Sequence, residues 1–216
     1  MIKNRYDERC FMRNNDYKGV FIAFDGPNGA GKSTLISLVE KTLIMRGYKV
    51  YVTSEPTATE LGKYVRAFSE KHDGISLACM VTCDRYDHLK NEIIPMLEEG
   101  CIVITDRYVL SSLILQGMDG VDADFIMDIN SEIIKPDLQI AVFADEKTLQ
   151  KRLGDREILT RFEKDNQSEK ELLFMKQGLD ILRNKGVEIV ETRNDNDLEK
   201  NVEEIADCIM QVRRSH

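Results

Sequence analysis

The sequence predicts an α/β fold, a five-stranded parallel sheet flanked by helices on both faces. Three observations carry this expectation. Short apolar runs alternate with segments of helical period along almost the whole chain. The runs are apolar at successive positions rather than at every second one, as strands covered on two sides are. The first run passes through a glycine-rich turn directly into a helical segment.

In chain order, Val20 to Phe24 is the first strand, followed by the turn Gly26 to Ser33. Ser33 to Arg46 has helical period and stops at Gly47, a natural C-terminal cap. Lys49 to Thr53 is the second strand. Helical stretches follow from Thr59 to about Phe68 and from Ser76 to Glu99, the latter closed by Gly100 and expected to bend or break near Pro95. Cys101 to Thr105, Leu138 to Phe143 and Val187 to Val190 are the third, fourth and fifth strands. No internal repeat occurs. Gly154 to Lys170, rich in both charge signs, reads either as a solvated loop or as a short mobile lid.

The 216 residues suffice for one large domain with a full core. Thirty basic and 38 acidic side chains leave a net charge of −8, so a phosphate must be held at a dedicated site. This balance argues against a nucleic-acid polymer or an anionic membrane as partner. No apolar run approaches the roughly 18 residues of a membrane span, and the charged stretch Met1 to Lys18 lacks the apolar centre of a signal peptide. We therefore expect a cytoplasmic protein with an N-terminal charged arm (1–18) and one domain (19–216). The cysteines Cys10, Cys79, Cys83, Cys101 and Cys208 form no staple framework. Cys79 and Cys83 have the spacing of two metal ligands on a helix, but no second pair answers them, and small buried hydrophobes is the preferred reading.

The octet Gly26-Pro27-Asn28-Gly29-Ala30-Gly31-Lys32-Ser33, continued by Thr34, fits the P-loop pattern in its confirming strand–turn–helix context. Glycines let successive N–H groups turn inward around phosphates, and the following helix points its positive end at the same anion. Lys32 can reach the β- and γ-phosphates of ATP, and the Ser33 hydroxyl can ligate Mg²⁺. A P-loop NTPase fold follows, though not yet a reaction. The guanine-reading N-K-x-D is missing, since Asn184-Lys185-Gly186-Val187 lacks the acid, and there is little room for motor modules.

The third strand ends in Asp106-Arg107-Tyr108. A carboxylate at a strand tip beside the P-loop suits Mg²⁺, and the Arg107 fork suits a second phosphate. In the long helix, Val81, Asp84, Arg85 and His88 share one face at about 100° per residue, with Asp84 able to pair with His88. That face resembles a pocket wall. Glu55-Pro56-Thr57 with Arg66 reads alone as a loop with a turn signal.

Taken in order, these pieces resemble the thymidylate kinase family: the P-loop, Glu55-Pro56-Thr57, Gly62 with Arg66, Asp84-Arg85 with His88, Asp106-Arg107-Tyr108 followed by Ser111-Ser112 and Gln116, Pro136-Asp137-Leu138, and Arg161-Phe162-Glu163. The match runs from about Gly19 to the C-terminus. The resemblance implies transfer of phosphate from ATP to dTMP by a homodimer. It assigns Arg107 to the acceptor phosphate, Arg85 to the base edge, and Ser111 or Ser112 to the neighbourhood of N3. It implies a lid near residues 152–165 and, given Gly29-Ala30, a transition-state arginine among Arg152, Arg156 and Arg161.

Four departures lie on the acceptor side. Asn28 replaces the family's P-loop acid, Val81 its stacking Phe, Leu115 the aromatic near the deoxyribose, and Ser54 the basic residue before Glu-Pro. Stacking on an aromatic ring contributes about 1–3 kcal/mol per base. Three activities fit: a thymidylate kinase with an atypical acceptor pocket, a same-fold kinase for a modified pyrimidine nucleotide or other small molecule, and a non-catalytic ATP-binding regulator.

Overall fold

The computed structural model describes residues 12–154, 160–194 and 197–215, excepting the side chains of 164–166. Among these residues five strands form one parallel sheet: β1 (Val20–Asp25), β2 (Val50–Ser54), β3 (Ile102–Asp106), β4 (Leu138–Phe143) and β5 (Ile189–Arg193), in the order β2-β3-β1-β4-β5. The α/β expectation and the five-stranded parallel sheet hold.

Alternation along β1 builds both layers of the core. Val20, Ile22 and Phe24 pack with Leu35, Val39 and Leu43 of α1 (Lys32–Met45) and with Ile205 and Ile209 of α9 (Leu198–Ser215). Phe21 and Ala23 face the opposite side, where the other helices pack. Those helices are α3 (Gly74–His88), α4 (Ile94–Glu98), α5 (Val109–Met118), α6 (Ala123–Ile129) and α8 (Ser168–Asn184). β1 is fully buried, whereas β2 and β5, at the sheet's edges, are only partly covered.

Pro95 does not break the long helix. A π-helical turn, Leu89–Ile93, joins α3 to α4, and Pro95 lies in the first turn of α4. A proline there has no N–H to donate and its ring crowds the carbonyl four residues earlier; the wider turn accommodates both constraints. The described part of the N-terminal stretch packs on the body. Met12 is buried and donates its N–H to Ser131 O, and Arg13 N–H donates to Ile133 O at 2.7 Å. Cys101 is buried as expected, but Cys79 and Cys83 are exposed on α3, because that helix turns Leu77, Ala78 and Arg85 inward instead. Cys10 lies outside the described residues.

The register aligns three strand tips. Phe24 of β1 and Ser54 of β2 both lie opposite Asp106 of β3. The P-loop, Glu55 and Arg107 therefore leave the sheet side by side, at the carboxyl ends where parallel α/β sheets bind ligands.

Candidate active site

The P-loop runs from the end of β1 to the start of α1. Gly31 sits at φ +82°, and a Cβ there would stand 2.4 Å from Asn194 Nδ2, so geometry and space both require glycine. A Cβ on Gly26 would lie 2.2 Å from Val142 O, which keeps the loop tight against β4. The first N–H groups of α1 have no acceptor within the helix and are available to an anion. Lys32 Nζ donates to Gly26 O and Pro27 O at 2.9 and 3.1 Å. Burial, then the Arg107 charge, lowers the Lys32 ammonium from its usual range to about 7.

The loop is braced from behind by Asn194, which the sequence did not single out, and by the candidate Arg152. Asn194, just past β5, donates from Nδ2 to Ala30 O at 2.8 Å. Arg152, on α7 (Glu146–Gly154), donates from Nη1 to Gly29 O and Ala30 O and from Nη2 to Asn194 O. Arg152 thus meets the P-loop, while Arg161 stands elsewhere. Its guanidinium grips both oxygens of Asp119 at 2.7 Å and donates to Ser69 O, linking the end of α5 to the end of α2 (Glu60–Ser69). Arg156 lies outside the described residues.

Asp106 and Arg107 are set by the turn that follows β3. The Ser33 hydroxyl donates to Asp106 Oδ2 at 2.7 Å, whereas Asp106 Oδ1 is buried and has no hydrogen-bond partner among the described residues. An orphan carboxylate oxygen beside a hydroxyl is a pair of hard donors suited to a divalent cation that phosphate oxygens would complete. Arg107 adopts φ +78°, uncommon for a side-chain-bearing residue. Its N–H is fixed by Phe24 O, and Thr105 Oγ1 donates to its carbonyl. Tyr108 anchors the turn from below, edge-on to Phe21 with ring centroids 5.0 Å apart, and donates its hydroxyl to Ile134 O. Such a pair contributes about 0.5–1.5 kcal/mol beyond the area it buries.

The strained turn aims the Arg107 guanidinium at Asn28 Oδ1, 2.7 Å away, and at Ser111 Oγ, 3.2 Å away. Asp25, buried at the tip of β1, accepts from the Ser111 hydroxyl and from the N–H groups of Tyr108 and Ser111, and Gln139 holds its second oxygen. Burial raises the Asp25 carboxyl, and these donors oppose the rise. Glu171 of α8 accepts from Asn28 N–H and Nδ2 at 2.7 and 2.8 Å.

A cavity of about 290 Å³ opens beside Asn28 and Arg107. Its walls include Glu55, Arg66, Val81, Arg85, Ser111, Ser112, Leu115 and Gln116, so the expected acceptor-side residues converge on one space. Arg66 donates to the carbonyls of Pro56 and Thr57 and so stiffens the loop at the rim. Asp84 does not pair with His88 but binds Thr57 through its N–H and hydroxyl, while His88 bonds Thr53 and Glu55. Arg85, fully buried, is held by Glu55, Asn130, Tyr108 O and Ser112. Both serine hydroxyls are thus engaged. Gln116 Oε1, by contrast, is buried and has no partner among the described residues. Phe162, which follows Arg161, adds an aromatic wall.

Among the described residues no helix is long and apolar enough to cross a membrane. A family model described as thymidylate kinase matches residues 24–205. The chain is similar to the thymidylate kinase of Caldicellulosiruptor saccharolyticus, 44% identical over 144 residues, covering 63% of this chain and 70% of the relative. It is similar also to a probable thymidylate kinase of Caldivirga maquilingensis, 39% identical over 149 residues, with 67% and 73% covered. A probable thymidylate kinase of Thermococcus gammatolerans is 36% identical over 157 residues, with 68% and 76% covered. This phosphotransferase chain belongs to the thymidylate kinase family.

Proposed function

We propose that the protein transfers the γ-phosphoryl group of ATP to dTMP, giving ADP and dTDP. The observation that carries the acceptor is the amide of Gln116. Gln116 lines the cavity beside the Arg107 cation and the apolar Val81 and Leu115, and its Oε1 has no hydrogen-bond partner among the described residues. A primary amide offers an acceptor to N3–H of a pyrimidine and a donor to the adjacent carbonyl.

In this reading an oxygen of the acceptor phosphate attacks the γ-phosphorus as its bond to the β–γ bridging oxygen breaks. Arg107 holds the acceptor phosphate, and Lys32 supports the migrating group. Ser33 and Asp106 would hold Mg²⁺, which would supply charge neutralisation on the phosphates. Of the two candidate arginines that are described, Arg152 is bonded to the P-loop and is the better situated to swing onto the transition state. The segment around residues 152–165 acts as the lid.

We also take the enzyme to be cytoplasmic, and a homodimer because Ile75, Cys79 and Cys83 of α3 form an exposed stripe. Ile75→Lys should then shift the sedimentation mass towards monomer.

The test is ADP release with ATP-Mg and dTMP, dUMP, UMP and dCMP as acceptors. Turnover with dTMP, reduced at least tenfold by Gln116→Leu, supports the assignment. Turnover with another acceptor but not dTMP would overturn it.

A further inference from the structure

Along α8 the buried positions Ser168, Glu171, Met175, Gly178, Leu179 and Leu182 fall on one stripe. Four of the six are what an apolar face requires; Ser168 is polar but small and uncharged, whereas Glu171, only 2% exposed, carries a carboxyl. Its carboxylate leaves the stripe for the P-loop, where Oε2 accepts Asn28 N–H at 2.7 Å and Oε1 accepts Asn28 Nδ2 at 2.8 Å. The remaining polar atom of that amide, Asn28 Oδ1, accepts from Arg107 Nη2 at 2.7 Å.

A primary amide has a donor face and an acceptor face, and a half-turn exchanges them. Turned over, Asn28 would set its NH₂ against the Arg107 guanidinium, donor against donor. An ionised carboxylate only accepts, so its contact with Nδ2 selects the orientation that gives Arg107 an acceptor. Burial raises this carboxyl, and the two Asn28 donors, then the charges of Arg107 at the tip of β3 and Lys32 on α1, oppose the rise. The arrangement also keeps the negative charge one residue back from Arg107. A neutral oxygen steers the guanidinium, and its charge is left for a dianionic phosphate.

We propose that Glu171 is a positioning residue for acceptor-phosphate binding, acting through the Asn28 amide to aim Arg107. The inference rests on the acceptor being a nucleoside monophosphate, as proposed above, but not on its base.

The experiment compares dTMP with thymidine, which lacks the phosphate, by calorimetric titration of wild type, Glu171→Gln, Asn28→Asp and the double variant. Glutamine can accept from only one of the two Asn28 donors. Glu171→Gln should therefore weaken dTMP about tenfold, as for one buried donor left unpaired, with thymidine affinity and the KM for ATP unchanged. Asn28→Asp alone sets two carboxylates against each other and should also weaken dTMP. The double variant moves the acid into the P-loop opposite an amide, re-forms both contacts, and should return dTMP affinity to within about threefold of wild type.

Equal losses for dTMP and thymidine, an unchanged dTMP affinity in Glu171→Gln, or a double variant worse than Asn28→Asp would overturn the proposal. The last criterion stands even if Glu171→Gln alone does not fold. If wild type binds a different monophosphate instead, the dTMP assignment fails, and the same comparison with that nucleotide and its nucleoside still reads the role of Glu171.

Discussion

The Ser33 hydroxyl reaches from the first turn of α1 to Asp106 Oδ2 at the tip of β3, leaving Asp106 Oδ1 buried with no partner among the described residues. Two oxygens from neighbouring strand exits thus meet at the mouth of the cradle. If they hold the cation that accompanies ATP, Ser33→Ala should raise the Mg²⁺ concentration for half-maximal ADP release several-fold. Asp106→Asn should lower turnover on the order of a hundredfold. An unchanged Mg²⁺ dependence in both variants would place the cation elsewhere.

Lys32 gives a prediction with a pH sign. Burial lowers its folded-state value to about 7, against 10.5 for a free lysine. Between these values the unfolded chain holds a proton that the folded protein lacks, so this group's contribution makes stability rise with pH across that window. ATP phosphates favour the ammonium, so ATP binding at pH 8 should take up a proton. Calorimetry in buffers of different ionisation enthalpy reads it directly, and a binding heat independent of buffer would sink the idea. Lys32→Ala should cost at least about two orders of magnitude in turnover and abolish the uptake.

The candidate lid arginines separate by their contacts. Arg152 touches the P-loop carbonyls, whereas Arg161 joins Asp119 to Ser69 at the far side of the cavity. We expect Arg152→Ala to reduce turnover by roughly 10³ or more, with little change in acceptor KM. Arg161→Ala should mainly raise the acceptor KM, by loosening α2 against α5. Near-normal turnover in the alanine variants of Arg152, Arg156 and Arg161 would show that the transition-state charge is met by another group.

What could be read from the chain beforehand follows from how local each signal is. The P-loop is contiguous, and β4 matches its expected span, Leu138–Phe143, because a buried central strand is apolar at every position. The expectation for β5 was displaced towards Val187, since an edge strand ending in Glu191-Thr192-Arg193 has no uninterrupted apolar run. Glu171 meets Asn28 across 143 residues and Asn194 meets Ala30 across 164, and no local pattern encodes such meetings. Glu171 did leave one trace, an acid on the apolar stripe of α8. Asp84 bonds Thr57 rather than His88 because the Glu55–Thr57 loop folds back over α3, which helical spacing alone does not reveal.

The acceptor cavity carries the widest claim about specificity. Val81 and Leu115 both line it, where the family resemblance leads us to expect rings that stack on a base and crowd a 2′-hydroxyl, and Phe162 supplies an aromatic wall. Stacking on a ring contributes about 1–3 kcal/mol. If Phe162 does not replace the missing contact, dTMP should bind weakly and UMP should be poorly excluded. The variant Val81→Phe/Leu115→Tyr should then lower the KM for dTMP with little change in kcat, because stacking is regained equally in the ground and transition states. Phe162→Ala in the wild-type background separates the alternatives: a loss in kcat/KM for dTMP of tenfold or more, about 1.4 kcal/mol, would assign the stacking surface to Phe162. The decisive measurement is kcat/KM for dTMP, dUMP and UMP in all three proteins. A wild type that already strongly prefers dTMP to UMP, with no gain in the double variant and a large loss in Phe162→Ala, would show that the aromatic contact has moved from α3 to the segment after residue 160.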